Sequence, residues 1–257
     1  MPGAVKVFGS PTSSEVARVL ACLFEKDVEF QLIRVDSFRG PRRMPQYLKL
    51  QPHGEALTFE DANVTLVESR KILRHVADKY KMQGNPDLIG TGALERSSIE
   101  QWLQTEAQSF DMPSADLVYS LGFLPLTTPT AAPLDASRAS NARQQRQEAM
   151  MMMSPAHAEK VEEMRQLYEK SGRELGKVLD IYDQRLEEAE YLAGDKFTLA
   201  DLSHMPNADR LAADPRSLRL IRSRRNVSRW WDDISARESW LYVKSLQRPP
   251  SASEPLF

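Results

Sequence analysis

Residues Tyr191–Leu202 read YLAGDKFTLADL, and this stretch decides how the second half of the chain folds. It specifies a helix start in three ways. Thr198 offers a side-chain oxygen to the free amides of the first turn. Asp201, three residues on, reaches back to the Thr198 backbone N–H. Phe197 and Leu202 flank the pair as a hydrophobic staple. One such cap is typically worth about 1 kcal/mol. A helix is therefore expected from Leu199, and the apolar residues to Leu211 keep its period.

Working outward, Val227–Trp240, Glu159–Leu186 and Leu94–Leu121 also carry helical periods, and no strand-like alternation persists after Gly92. Residues 93–257 are expected to form an all-α domain. Residues 127–158 stand apart within it, rich in Ala, Ser, Pro, Gln and Thr, and are expected to be a low-complexity insertion, much of it without fixed structure. Arg138–Met153 holds good helix formers and is compatible with a partial helix.

The first part reads differently. Val5–Phe8 is β-rich, Val16, Val19, Leu20, Leu23 and Phe24 mark one helical face, and Val28, Phe30 and Leu32 alternate as a half-buried strand. A helical crossover makes two such strands parallel. Ala56–Phe59 and Val64–Val67 read as strands around a turn at Glu60–Asn63, and Ile72, Leu73, Val76, Ala77 and Tyr80 mark another helix. The order β-α-β, loop, β-β-α over residues 1–83 matches a thioredoxin-like α/β domain. Residues 84–92, with three glycines and a proline, read as a linker.

The 257 residues carry 34 basic and 36 acidic side chains, a net charge of −2, which gives no electrostatic reason to expect nucleic acid or an anionic membrane as partner. A single cysteine, Cys22, excludes an internal disulfide framework and favours a reducing compartment. No apolar run approaches the roughly 18 residues of a spanning helix. The opening MPGAVKVFGS lacks the pattern of a secretory leader, so a cytoplasmic protein is expected. His53, His75, His157 and His204 lack metal-ligand spacing, so no metal is expected. Cys22 falls near the apolar stripe of the first helix and reads as a core residue. Trp230 and Trp231 read as helix-packing aromatics.

Four motifs in order bring a family into view. They are Lys6-Val7-Phe8-Gly9 with Pro11-Thr12-Ser13-Ser14 and Arg18-Val19-Leu20; Phe59-Glu60-Asp61 with Leu66–Arg70; Lys177–Asp180 through YLAGDKFTLADL to His204-Met205-Pro206-Asn207; and Val227–Arg237. With these the chain resembles the plant phi-class glutathione transferases. The resemblance covers nearly everything except 127–158. It implies attack by the glutathione thiolate on hydrophobic electrophiles, in a detoxification role, by a homodimer that uses glutathione as co-substrate and no other cofactor.

The resemblance also implies roles for particular residues. Ser13, between the first strand and the first helix, takes the place of the catalytic serine. A free thiol with a pKa of about 8.5 is mostly protonated at neutral pH, and the thiolate is the nucleophile. A hydrogen bond to a charged group is worth about 1.5–3 kcal/mol, enough to shift that balance. The alternative is that Ser13 only caps the helix, a role open also to Ser14. Glu68 and Ser69 correspond to the pair that holds the γ-glutamyl end, again with capping as the other reading. Arg42 and Arg43 fall near the place of the glycyl carboxylate, or else form a solvated basic loop. Glu55 and the Ala56 backbone fall at the cysteinyl unit. Here the chain departs from the family: Leu57 stands in place of a cis-proline, and Glu55 in place of a glutamine. Those two changes favour an alternative function, a catalytically weak carrier of small hydrophobic molecules. Leu117, Val118, Leu121 and Phe123 are candidate walls of the electrophile pocket by position.

Overall fold

The computed structural model describes residues 5–34, 57–124 and 155–248. Strands β1 (Val5–Gly9), β2 (Phe30–Ile33), β3 (Leu57–Asp61) and β4 (Val64–Leu66) form one sheet in the order β2-β1-β3-β4. As the crossover argument requires, β1 and β2 run parallel; β3 is antiparallel to β1 and to β4. Helix α1 (Ser14–Glu25) buries Val16, Val19, Leu20 and Leu23, the face read from the spacing. Cys22 is among them and fully enclosed. Helix α2 (Ser69–Lys79) buries Ile72, Leu73, Val76 and Ala77.

The β3–β4 turn is tighter than the four residues expected. Glu60 pairs with Thr65 and Asp61 with Val64, leaving Ala62-Asn63 as the loop, with Ala62 at φ 53°. A two-residue hairpin loop favours positive φ, which matches the twist of the strands. Gly84 opens the linker at φ 54°, and a Cβ there would lie 2.3 Å from the Glu25 carbonyl oxygen. The close approach lets the Asn85 N–H bond that same carbonyl at 2.7 Å.

The helical part contains α3 (Ala93–Thr105), a π-helical turn (Glu106–Phe110), α4 (Asp111–Leu121), α5 (Pro155–Glu188), α6 (Leu199–Leu202), α7 (Met205–Ala212), α8 (Pro215–Arg222), α9 (Arg225–Ser235) and α10 (Glu238–Gln247). Leu94–Leu121, expected as one helix, is one rod interrupted by the π turn. The segment expected to be helical from Leu199 to Leu211 breaks at Ser203-His204, because Pro206 has no N–H to continue the ladder and sits in the first turn of α7. The low-complexity segment was expected to extend to residue 158, but α5 already starts at Pro155, so its last four residues are helical. The remainder of that segment, with the partial helix considered at Arg138–Met153, lies outside the described residues. Helix α8 was not anticipated, although Asp214 followed by Pro215 is a start signal: the Asp214 carboxylate accepts from the Arg216 amide at 2.8 Å.

The start motif is built as its sequence specifies. The Thr198 oxygen accepts from the Ala200 N–H at 3.2 Å, and Asp201 Oδ2 accepts from the Thr198 N–H at 3.1 Å. Phe197 and Leu202 are both buried. Asp201 does more than cap. Its Oδ1 accepts from the Leu192 N–H at 3.0 Å and from Trp230 Nε1 at 2.9 Å, joining the turn before α6 to α9. His204 is equally enclosed, with Nε2 2.8 Å from the Tyr182 hydroxyl and Nδ1 2.7 Å from the Ala200 carbonyl. Trp230 and Trp231 pack in the core.

Candidate active site

Ser13 precedes α1 with extended backbone angles, and its carbonyl accepts the first helical bond from the Ala17 N–H at 2.9 Å. Its own N–H closes a turn on the Ser10 carbonyl, also at 2.9 Å. The residue is thus the backbone cap of α1, yet its hydroxyl makes no capping bond. Ser14 is the first helical residue rather than the cap. The half-buried Ser13 hydroxyl has no hydrogen-bond partner among the described residues, and the positive end of α1 lies behind it.

At the start of α2 the two expected residues divide the work. The Glu68 carboxylate caps the helix, accepting from the Arg70 N–H at 3.1 Å and the Lys71 N–H at 2.8 Å. Ser69 is fully buried, and its hydroxyl oxygen accepts from Arg18 Nη1 at 3.0 Å. An oxygen used in this way keeps its own hydrogen for another acceptor.

Arg18 belongs to a charge network that the sequence reading did not foresee. It is 1% exposed. Besides Ser69 it donates to the Ser203 carbonyl at 3.0 Å and to Glu106 Oε1 at 3.1 Å. Glu106, 0% exposed, also accepts from Arg70 Nε at 2.7 Å, and Arg70 Nη2 lies 3.1 Å from Asp111 Oδ2. Asp111 in turn accepts from the Asn207 amide on α7. Burial pushes the Glu106 carboxyl up, against the pull of Arg18 and Arg70. Glu15, in the first turn of α1, is likewise pushed up by burial. The one sequence signal was Arg18 itself, a charge inside the apolar run Val16–Leu20, since a buried arginine requires a partner.

The π turn explains how two carboxylates reach one arginine. Residues five apart on an ideal α-helix point about 140° away from each other at 3.6 residues per turn. Here the Asp111 N–H bonds the Glu106 carbonyl, an i to i+5 closure that stacks the two residues.

The loop before Ser13 is held from the helical part. The Arg210 guanidinium on α7 donates to the Thr12 carbonyl, and Gln247 Nε2 at the end of α10 donates to the Pro11 carbonyl at 3.0 Å.

Arg42, Arg43, Glu55 and Ala56 lie outside the described residues. Leu57 is fully buried and pairs with Gly9 as the first residue of β3, so its side chain serves the core. The four proposed pocket residues are not brought together on one open face. Leu117 and Leu121 are buried in the helical core, Val118 packs partly against that core, and only Phe123 is exposed, in ring contact with Tyr119. The open apolar side of α4 carries Met112 and Tyr119 instead. Among the described residues no cluster of His, Cys, Asp and Glu is arranged to hold a metal ion, and no helix is long and apolar enough to cross a membrane.

This arrangement, a four-stranded mixed sheet with its helices docked on a helical domain, is that of a recognised family. The model for the glutathione S-transferase N-terminal domain matches residues 3–78, and that for the C-terminal domain matches residues 142–238. The chain belongs to the glutathione S-transferase family. Its relatives identify the branch as the phi class. Glutathione S-transferase F10 of Arabidopsis thaliana is 35% identical over 92% of this chain and 94% of its own. Glutathione S-transferase PARB of Nicotiana tabacum is 35% identical over 95% of this chain and 98% of its own. Among solved structures, glutathione transferase F2 of Populus trichocarpa is 42% identical with a TM-score of 0.76, covering 95% of this chain and 98% of that one.

Proposed function

We propose that the protein conjugates the thiolate of glutathione to hydrophobic electrophiles and that Ser13 donates the hydrogen bond that keeps the sulfur ionised. The observation that carries this reading is the Ser13 hydroxyl, which stands at the mouth of α1 without taking up the capping role. In the reaction the sulfur forms a bond to the electrophilic carbon and the leaving group departs with its electron pair, while the thiol proton has already passed to solvent. The γ-glutamyl carboxylate would meet the Ser69 hydroxyl hydrogen at the positive end of α2. Arg42 and Arg43 would hold the glycyl carboxylate, and the Ala56 backbone beside Glu55 would hold the cysteinyl unit. The electrophile would approach along α4, where Met112 is 68% exposed.

The domain limits of 1–83 and 93–257, the homodimer and a cytoplasmic location belong to the same reading. Exposed apolar side chains at Val64, Val67 and Leu94 support the dimer.

The test is turnover of a generic aryl halide and retention on immobilised glutathione. Ser13→Ala is expected to cut turnover at least tenfold, about 1.4 kcal/mol of transition-state stabilisation, and to return the bound thiol toward its free pKa. An unchanged rate would leave the serine as a backbone cap only. Glu55 and Leu57 favour the second reading, a weakly catalytic carrier. No retention and no rate above buffer, with tight binding of a hydrophobic dye, would establish that alternative.

A further inference from the structure

The arginines around Ser13 are not equivalent. Arg18 and Arg70 are each held by carboxylates, Glu106 and Asp111. Arg210 has no carboxylate within ion-pair distance among the described residues. Its described hydrogen bond goes to the neutral carbonyl of Thr12, the residue before the serine. Asp209, the acid beside it in sequence, is taken by Lys244 at 2.9 Å and by Trp240 Nε1 at 3.2 Å. The bond to Thr12 uses one N–H of a five-donor fork and leaves the others for a ligand. Burial of the guanidinium, and after it the nearby charge of Arg18, disfavour the cation and lower its pKa, though arginine stays charged at neutral pH. The residue as a whole is exposed, and a guanidinium that no described carboxylate contacts directly, with Asp111 and Asp209 near it but engaged by other donors, can still take an arriving anion.

Arg210 also stands beside the serine, through its bond to the Thr12 carbonyl. Arg210 lies three residues after Asn207 on α7, hence on the same helical face. Asn207 reaches Asp111, so that face looks at the start of α4, where Met112 is exposed.

We propose that Arg210 is a specificity-determining residue that selects electrophiles combining an apolar body with a carboxylate or similar oxyanion. The inference rests on the transferase reading and names the substrate class for it. The guanidinium binds the anionic group while the glutathione sulfur attacks the electrophilic carbon. The S–C bond forms as the carbon–halogen bond breaks, and halide leaves.

The test uses a matched pair, 4-chloro-3-nitrobenzoate and 4-chloro-3-nitrobenzamide, with glutathione, the intact protein and Arg210→Gln. Glutamine keeps an N–H donor for the Thr12 carbonyl but carries no charge. The readout is the ratio of kcat/KM for the carboxylate to that for the amide, which cancels any general loss from a shifted loop. That ratio is expected to fall at least tenfold in Arg210→Gln and to recover in large part in Arg210→Lys. It is also expected to fall with added salt in the wild type. A ratio unchanged by either substitution, with the amide still conjugated by the wild type, would overturn the inference and leave the transferase reading intact. If the wild type conjugates neither compound, both fall together.

Discussion

Asp201 and His204 lie three residues apart in the helical core and respond to pH with opposite sign. Burial pushes the Asp201 carboxyl up to about 6, against hydrogen bonds from Leu192, Trp230 and Thr198 that favour its ionised form. Folded, it holds a proton more tightly than when unfolded, so its contribution is fully present below pH 3.8 and is lost as pH rises to 6. Burial lowers His204 to about 3. Its contribution is present above pH 6.5 and is lost as pH falls through that window toward 3, because the unfolded chain takes up the proton first. The histidine shift is the larger, so the acid limb of the stability curve should be steepened chiefly by His204. His204→Gln is expected to flatten the fall in urea-unfolding free energy between pH 6 and 4; an unaltered slope would assign the limb to other groups. Asp201→Ala would orphan buried donors at Leu192, Thr198 and Trp230, each costing about 1–3 kcal/mol. A loss of at least about 3 kcal/mol at pH 7 is expected by denaturant titration. The Asp201 cap was legible in the sequence because its partners are three residues away or nearer. Its bond to Trp230 was not, since nothing local links residues that far apart.

Among the elements, the π turn was the least legible, because apolar spacing cannot show one added residue within a long helix. Its effect is to bring Glu106 under Arg18 and Arg70. Removing one partner of a buried ion pair costs about 3–5 kcal/mol, since the other charges lose their compensation. Glu106→Gln is expected to lower stability by an amount near the low end of that range. It should also raise the KM for glutathione more than it lowers kcat, because the network steadies Ser69 rather than the sulfur. An equal effect on both constants would count against that division of roles. The start of α2 is a similar case. Capping and ligand binding were both open for Glu68 and Ser69 in the sequence; the fold gives the cap to the first and a buried hydroxyl to the second, because only packing against Arg18 separates them.

For the whole molecule, the junction between the sheet domain and the helices is held at the far end of α1 as well as at the site. The Glu25 carboxylate accepts from Arg237 Nε and Nη2, both at 2.8 Å, from Ser239 Oγ at 2.6 Å and from Asn85 Nδ2 at 3.2 Å. Burial would raise this carboxyl, but those bonds more than offset it and leave it below its ordinary value. Its contribution is therefore present above pH 4.5 and is lost on further acidification. Glu25→Ala is expected to loosen α10 first, seen as faster amide exchange in residues 238–247 than in α9. Uniform exchange through both helices would show that the strap is not local. The order of domains was readable from periodicity alone. The strap was not, because it joins residues more than 200 positions apart.

Cys22 has a consequence for how the protein tolerates its own chemistry. The proposed glutathione site lies at one end of α1, and the single sulfhydryl sits two turns further along the same helix, sealed from solvent and held protonated by its apolar surroundings. It has no route to a mixed disulfide with the tripeptide while folded. A thiol-specific dye should therefore label it only as fast as the whole structure opens, which makes position 22 a built-in clock for global unfolding.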